Sequence, residues 1–189
     1  MFKTLYCIRH GTSEHNVRYK KVGEKAFHEQ MDTKLVSKGI SEAIFLSETW
    51  CNINDIELVI VSPLSRTLKT AELIFKEHNV PIIVLEDLIE HPQHKEICNK
   101  RDNKYTLQLN YPRFDFSNIQ ESTVWNDEKI ETHIDLKERC QNIKKWLLNR
   151  SETKICIVSH SSFLQMFINN DIKDSMYGMK HCYPYEYIL

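Results

Sequence analysis

Short runs of apolar residues predict the buried strands of this chain. Continuous apolar runs of about four to eight residues are typical of strands that are covered on both faces, as in a parallel sheet. Runs of this kind lie at Thr4 to Ile8, Glu57 to Ser62, Val80 to Glu86 and Lys154 to Ser159. The chain closes on YPYEYIL, residues 183–189, which we expect to form an edge strand.

Between these runs, apolar residues recur with the period of an α-helix. The spacing predicts helices over Ser37 to Trp50, from just after Pro63 to about His78, from Ile134 to about Arg150, and over Ser162 to Ile168. The polar segment from Val17 to Met31 has no such period, so we expect a loop there. A longer stretch without a clear period, at about residues 87–130, exceeds the usual length of a structureless loop and predicts a lid or an active-site insertion.

The strands alternate with helices along the chain, which indicates an α/β protein with a three-layer α/β/α fold and a mostly parallel central sheet. A length of 189 residues fits one domain with a sizeable core. No repeat, low-complexity segment or obvious linker divides the sequence. We therefore expect a single domain over residues 1–189 that carries the insertion after its third strand.

Composition and charge narrow the classes of partner. The formal net charge is -1, so no overall basic field favours nucleic acid. No apolar run approaches the length of a membrane span, and the N-terminal MFKTLYCIRH lacks the apolar stretch of a signal peptide. The 6 Cys form no C-x-x-C pair, which argues against a zinc site. We expect a cytoplasmic protein with free thiols that binds neither nucleic acid nor membrane; its oligomeric state is left open.

Polar side chains follow each predicted strand of the sheet at the point where the strand ends. Because ligands of open α/β sheets bind outside the carboxyl ends of the strands, we expect these side chains to meet. Arginine matches phosphate oxygens with a planar pair of donors, an imidazole can attack phosphorus, and a carboxylate can carry a proton. The set therefore predicts a pocket for a phosphate-like dianion, built from Arg9, His10, Asn16, Arg66, Glu90 and His160, with Ser161 next to His160.

Four segments of the chain resemble, in order, the signature segments of the histidine phosphatase superfamily, which is also called phosphoglycerate mutase-like. They are RHGTSEHN, SPLSRTLKTA, LIEH and VSHSSF. The segment DTKLVSKGISEA resembles the pattern D-x-x-L-T-x-x-G-x-x-Q-A of that family, with Val36 and Glu42 as departures. The stretch IEHPQHKEICNKR, in which Asn99 replaces an aspartate, resembles a phosphomutase-like eukaryotic branch, as do YPRFDFSNI and VWNDEK.

The resemblance implies a role for each matched residue. His10 matches the nucleophile that becomes phosphohistidine, and Glu90 matches the proton donor to the leaving group. The residues that match phosphate contacts are Arg9, Arg66, His160 and, as an added contact, Asn16. The implied activity is hydrolysis of a small phosphate monoester without a metal or another cofactor, because fixed cations replace Mg²⁺ in the pocket.

Several alternatives stay open on the sequence. Glu86 or Asp87 could be the acid instead of Glu90, and Arg101 is either a substrate contact or a solvated charge beside Lys100. A mutase would return the phosphoryl group to a bound acceptor rather than to water; the chain is shorter than the classical mutases of the family, which favours the phosphatase. A non-catalytic phosphate-binding module is the third hypothesis. Scattered histidines such as His91 are more often packing residues than metal ligands, so no metal site is predicted.

Overall fold

A mixed five-stranded sheet forms the centre of the structure, a computed structural model that describes residues 2–122, 125, 128–172 and 178–189. The strands are β1 (Thr4–Arg9), β2 (Leu58–Val61), β3 (Ile82–Val84), β4 (Lys154–Ser159) and β5 (Pro184–Ile188). Their order is β3-β2-β4-β1-β5; β1 to β4 run parallel, and β5 pairs antiparallel to β1 at the edge. The predictions of a mostly parallel sheet and of a closing edge strand are confirmed.

Helices cover both faces of the sheet. They are α1 (Glu14–Val22), α2 (Ser37–Thr49), α3 (Ser65–Ile74), α4 (Lys104–Asn110), α5 (His133–Leu148) and α6 (Ser161–Asn169). Alternate strand residues belong to two separate cores: Ile8 and Val61 pack with α2 and α3, whereas Cys7 and Ile60 pack with α5 and α6. Because the inner strands are buried on both faces, their sequences are continuously apolar rather than alternating. The resulting order of layers is α/β/α, as predicted.

The predicted loop from Val17 to Met31 is wrong up to His28. This segment continues α1 and then forms a 3-10 helix over Gly23–His28. Ser13 and Asn16 form a capping box at the start of α1, and His15 is the buried residue of the helix. Periodicity failed here because one buried residue gives no apolar stripe, so the capping residues were the available signal.

Two other elements end earlier than predicted. β3 stops at Val84, and Glu86–Leu88 forms a 3-10 turn instead of continuing the strand. α3 stops at Ile74 rather than at about His78. In both places the next side chain, Leu85 after β3 and Phe75 after α3, is still buried, so the apolar pattern extends further than the element itself.

The segment between β3 and α5 is packed rather than structureless. It contains a 3-10 turn at Ile97–Asn99 and the helix α4, and Phe114 and Phe116 join the core beneath α2 and α3. The backbone of Asp115 pairs with Ile83 and extends the edge of the sheet. Residues 123, 124, 126 and 127 of the predicted insertion, and with them half of VWNDEK, lie outside the described residues. The lid function of this segment stays a prediction.

None of the helices in the described part of the chain has both the length and the apolar character needed to cross a bilayer.

Candidate active site

The polar side chains predicted at the strand ends occupy one edge of the sheet. His10 follows β1, Arg66 lies in the first turn of α3 after β2, Glu90 follows β3, and His160 follows β4. The ring centroids of His10 and His160 are 5.1 Å apart. Burial and then the charges of Arg66 and Arg9 lower the pKa of His10, while the charge of Glu90 partly offsets the lowering of the Arg9 pKa by burial. The parallel strands thus bring together residues from four distant parts of the sequence.

The imidazole of His10 is fixed in one tautomer. Its Nδ1 lies 2.7 Å from the carbonyl oxygen of Gly11, which can only accept, so Nδ1 carries the hydrogen and Nε2 has the free electron pair. Burial, followed by the positive charge of Arg66, holds the pKa of His10 well below its ordinary value of 6.5. His10 is therefore a neutral imidazole at neutral pH, which is the form that can act as a nucleophile.

Backbone contacts hold the loop that carries His10. The His10 N–H donates to the carbonyl of Ser159 at 3.0 Å, and the Gly11 N–H donates to Oγ1 of Thr70 at 3.1 Å. Gly11 also lies directly against Gly39 at the start of α2: a Cβ on Gly11 would come within 2.4 Å of the Gly39 carbonyl oxygen. The short Arg-His-Gly sequence at the end of β1 is therefore explained by close backbone packing as well as by chemistry.

Three buried nitrogens of the cluster lack a hydrogen-bond partner. Within the residues that the structure describes, the buried side-chain polar atoms without a partner are Nε of Arg9, Nε of Arg66 and Nδ1 of His160. Leaving a buried donor unsatisfied costs about 1–3 kcal/mol, so native proteins retain such groups where a ligand or a reaction uses them. An anion with several acceptor oxygens would satisfy all three.

The rest of each of these side chains is held by the protein. The two terminal nitrogens of Arg66 donate to the carbonyl of Cys98 and to Oδ1 of Asn99, both at 2.8 Å. One terminal nitrogen of Arg9 donates to the carbonyl of Met179 at 2.8 Å. Nε2 of His160 lies 2.9 Å from Oγ of Ser62, and burial keeps the pKa of His160 well below 6.5. The side chains are thus positioned before any ligand arrives.

Glu90 sits at the N-terminus of α6. Its carboxylate accepts hydrogen bonds from the backbone N–H groups of Ser162 at 3.2 Å, Phe163 at 3.0 Å and His91 at 2.9 Å. Of the alternative acids, Glu86 is engaged by the guanidinium of Arg101 at 2.8 and 3.0 Å. Of the three candidate acids Glu86, Asp87 and Glu90, Glu90 is the one whose charge acts on Arg9.

A buried ion pair fastens the loop that carries Glu90. One nitrogen of Arg139, on α5, donates to the carbonyls of Asp87 at 2.7 Å and Ile89 at 2.6 Å. The same guanidinium binds the carboxylate of Glu131, which also lies 3.0 Å from Nδ1 of His91. His91 therefore has a structural partner in Glu131, which sequence analysis missed because the two residues are 40 positions apart.

Asn16 and Ser161, the other predicted ligand contacts, already form hydrogen bonds within the protein. Oδ1 of Asn16 accepts from the backbone and the hydroxyl of Ser13, so its amide nitrogen is the group left for a ligand. Oγ of Ser161 accepts from the Met179 N–H at 3.3 Å.

Arg101 is not a solvated charge, because its side chain is fully buried. Its guanidinium donates to Glu86 and to the carbonyls of Asp102 and Gln120. These contacts attach Arg101 to the insertion, and a substrate contact by Arg101 stays a prediction.

Several residues of the site were not predicted. Nδ1 of His181 lies 2.5 Å from the carbonyl of His10, and burial lowers the pKa of His181 to about 4. Ser62, at the end of β2, supports His160, and its position after a strand was an available signal. Glu96 lies near Glu90 and Arg66, and nothing in its sequence position marks it.

Across residues 2–122, 125, 128–172 and 178–189, no three His, Cys, Asp or Glu side chains assemble into a cluster that could ligate a metal ion.

Comparisons with known proteins agree with this geometry. The profile of one family, described as the histidine phosphatase superfamily (branch 1), matches residues 5–179. Phosphoglycerate mutase-like protein 1 of Arabidopsis thaliana is 29% identical over 201 positions, covering 88% of this chain and 71% of that protein. A probable phosphatase of Schizosaccharomyces pombe is 24% identical, covering 87% and 77%. The solved structure of Bacillus stearothermophilus YhfR has the same fold, with a TM-score of 0.63 at 20% identity and coverage of 98% and 89%.

Proposed function

Because the chain belongs to the histidine phosphatase superfamily (branch 1), we propose that it hydrolyses a phosphate monoester through a phosphohistidine formed on His10. Members of this superfamily are phosphatases or mutases. The observation that carries the proposal is the set of three buried, unpartnered nitrogens on Arg9, Arg66 and His160 around a neutral imidazole. A small phosphorylated molecule is the class of substrate that this cluster fits.

Binding places the phosphoryl group among fixed donors. Nε of Arg9 and Nε of Arg66 donate to its oxygens, and their positive charges oppose the dianion. When the Ser62 hydroxyl donates to Nε2 of His160, the Nδ1 of His160 carries a hydrogen and donates a third bond. Positioning and charge stabilisation account for most of the catalysis of phosphoryl transfer, so this cluster does the work that Mg²⁺ does elsewhere.

The first chemical step is attack of His10 Nε2 on phosphorus, in line with the leaving oxygen. The electron pair of Nε2 forms the N–P bond while the P–O bond to the alcohol breaks. The Gly11 carbonyl oxygen accepts a hydrogen bond from Nδ1–H of His10 and stabilises the positive ring that results. Protonated Glu90 supplies the proton that the leaving oxygen needs.

The second step reverses the roles of the same groups. Glu90, now ionised, takes a proton from water as the water oxygen attacks the phosphohistidine. The N–P bond breaks, phosphate leaves, and His10 and Glu90 return to their starting forms. The backbone N–H bonds from α6 hold the Glu90 carboxylate in place for both steps.

The test is the fate of His10. We expect the wild-type protein to hydrolyse p-nitrophenyl phosphate and to yield an acid-labile, base-stable phosphate on the peptide that contains His10. His10→Ala should lose both, whereas His28→Ala, at an exposed histidine, should keep both. Activity above roughly 5% of wild type in His10→Ala would refute the nucleophile, because alanine has no atom that can form the N–P bond.

The same experiment separates the two competing functions. Transfer of the phosphoryl group to an added alcohol in preference to water would indicate a mutase-type reaction, which the name of the Arabidopsis relative brings into consideration. Binding of phosphate without any phosphohistidine would indicate a non-catalytic module.

A further inference from the structure

Glu96 is a second carboxylate, after Glu90, at the edge of the phosphate cluster, and the proposed mechanism does not use it. Its Oε2 accepts a hydrogen bond from Nδ2 of Asn99 at 3.2 Å. The other end of the Asn99 amide, Oδ1, accepts from Arg66 at 2.8 Å. Asn99 is buried, with 2% of its surface exposed. A continuous chain of hydrogen bonds therefore joins Glu96 to the guanidinium that is expected to bind phosphate.

Several charged groups face Glu96. Glu90 repels its negative charge, while Lys95 and Arg66 attract it. The 3-10 helix Gly23–His28 packs against the turn that contains Asn99, and it carries Glu24, Lys25 and His28. Burial and the charge of Glu90 raise the pKa of Glu96 to about 7. Near neutral pH the carboxyl group is thus present in both protonation states.

We propose that Glu96 is a proton-linked carboxyl of the phosphate site, which takes up a proton when a phosphate-like dianion binds beside Arg66 and releases it when the anion leaves. The inference rests on the proposed function only in that the cluster binds such an anion. Glu96 acts through Asn99 and through its charge, so it is a positioning residue and does not touch the substrate.

The physical reason is reciprocity between two binding events. A dianion beside Arg66 disfavours the ionised form of Glu96, and ionised Glu96 disfavours the dianion by the same free energy. A rise of one unit in the pKa of Glu96 on binding would make the anion bind about tenfold more weakly above that pKa than below it. The site should therefore bind and turn over phosphate esters best on the acidic side of neutrality.

Glu96→Gln separates the charge from the hydrogen bond. The Gln carbonyl oxygen can still accept from Nδ2 of Asn99, so Asn99 and Arg66 keep their orientation. The variant is neutral at every pH and cannot take up a proton. Glu77→Gln is the matched control, since the Glu77 side chain is 79% exposed and also pairs with a lysine.

Titration calorimetry with tungstate, a dianion at neutral pH, measures the linked proton directly. At pH 7, in cationic buffers with different ionisation enthalpies, wild type and Glu77→Gln should take up roughly 0.4 proton per tungstate more than Glu96→Gln does. Equal uptake in Glu96→Gln and wild type would overturn the inference while leaving the proposed phosphatase intact. Failure of tungstate to bind at all would overturn both.

A kinetic readout distinguishes this role from a merely structural one. The ratio of kcat/KM of Glu96→Gln to that of wild type should rise on the order of tenfold between pH 6 and pH 8.5. A ratio that does not change with pH would refute the linkage. A loss of kcat in Glu96→Gln that is confined to poor leaving groups would also refute it, because Glu96 would then be the proton donor itself.

Discussion

Replacing Gly11 by alanine adds one methyl group where the loop that carries His10 lies against α2. The new Cβ would lie 2.4 Å from the carbonyl oxygen of Gly39 and 3.0 Å from its carbonyl carbon and Cα. Ordinary contacts between such atoms are about 3.5 Å, so the loop or the start of α2 must move by about 1 Å. Both neighbours are backbone, and neither can yield by rotating a side chain.

The displacement should affect stability and activity together. Overpacking costs about 1–3 kcal/mol, and rigid backbone on both sides places Gly11→Ala near the upper figure. For a chain of this length, about 3 kcal/mol lowers Tm by roughly 6–12 °C. Because His10 directly precedes Gly11, a shift of about 1 Å in the loop should also lower kcat/KM on the order of 10²-fold.

Gly23→Ala provides the matched control. Gly23 has φ 62° and ends α1, and a Cβ built on it meets no atom within 4 Å. With ψ -148°, Gly23 lies in a backbone region that is essentially restricted to glycine, so the variant should lose about 1–3 kcal/mol from backbone strain and keep its activity. Urea denaturation followed by tryptophan fluorescence, with hydrolysis of p-nitrophenyl phosphate, measures both effects. A loss of kcat/KM in Gly11→Ala no larger than that in Gly23→Ala would refute the close packing beside His10.

Three further results are expected. Glu90→Gln should lower kcat on the order of 10²–10⁴-fold with alkyl phosphates and much less with p-nitrophenyl phosphate, whose leaving group scarcely needs a proton. Equal losses with both substrates in the phosphorylation step would contradict the role of Glu90 as the acid. The amide group that Glu90→Gln introduces cannot accept the hydrogen bond from the Ser162 N–H, but this loss affects both substrates equally and so cancels when the two are compared within one variant. Burial raises the pKa of Asp32 to about 6, so the stability it contributes is present below about pH 4 and is lost as pH rises through 6. Asp32→Asn should therefore gain ~3 kcal/mol on wild type in free energy of unfolding between pH 4 and pH 7, and a constant difference in urea denaturation across that range would be the contrary result. EDTA should leave hydrolysis unchanged and orthovanadate should inhibit it; a loss on chelation that Mg²⁺ or Zn²⁺ restores would rule out a metal-free mechanism.

The sequence alone determined the strands and most of the helices, because burial leaves a local pattern. Strands covered on both faces must be continuously apolar, as at Leu58–Val61 and Lys154–Ser159. The edge of the sheet that should hold the ligand followed from the same reasoning, since parallel strands share one carboxyl edge. Helix α1 was not predicted, because a single buried side chain produces no periodic apolar stripe.

The tertiary structure decided the environment of each group at that edge. The sequence does not identify the hydrogen-bond partners on which these environments depend. They determine the tautomer of His10, leave nitrogens of Arg9 and Arg66 unpartnered, and hold Arg101 in the insertion. The Arg139 bond to the Ile89 carbonyl, for example, joins residues 50 positions apart. Protonation and hydrogen-bond satisfaction depend on distance and burial in three dimensions, whereas apolar periodicity is a property of neighbours along the chain.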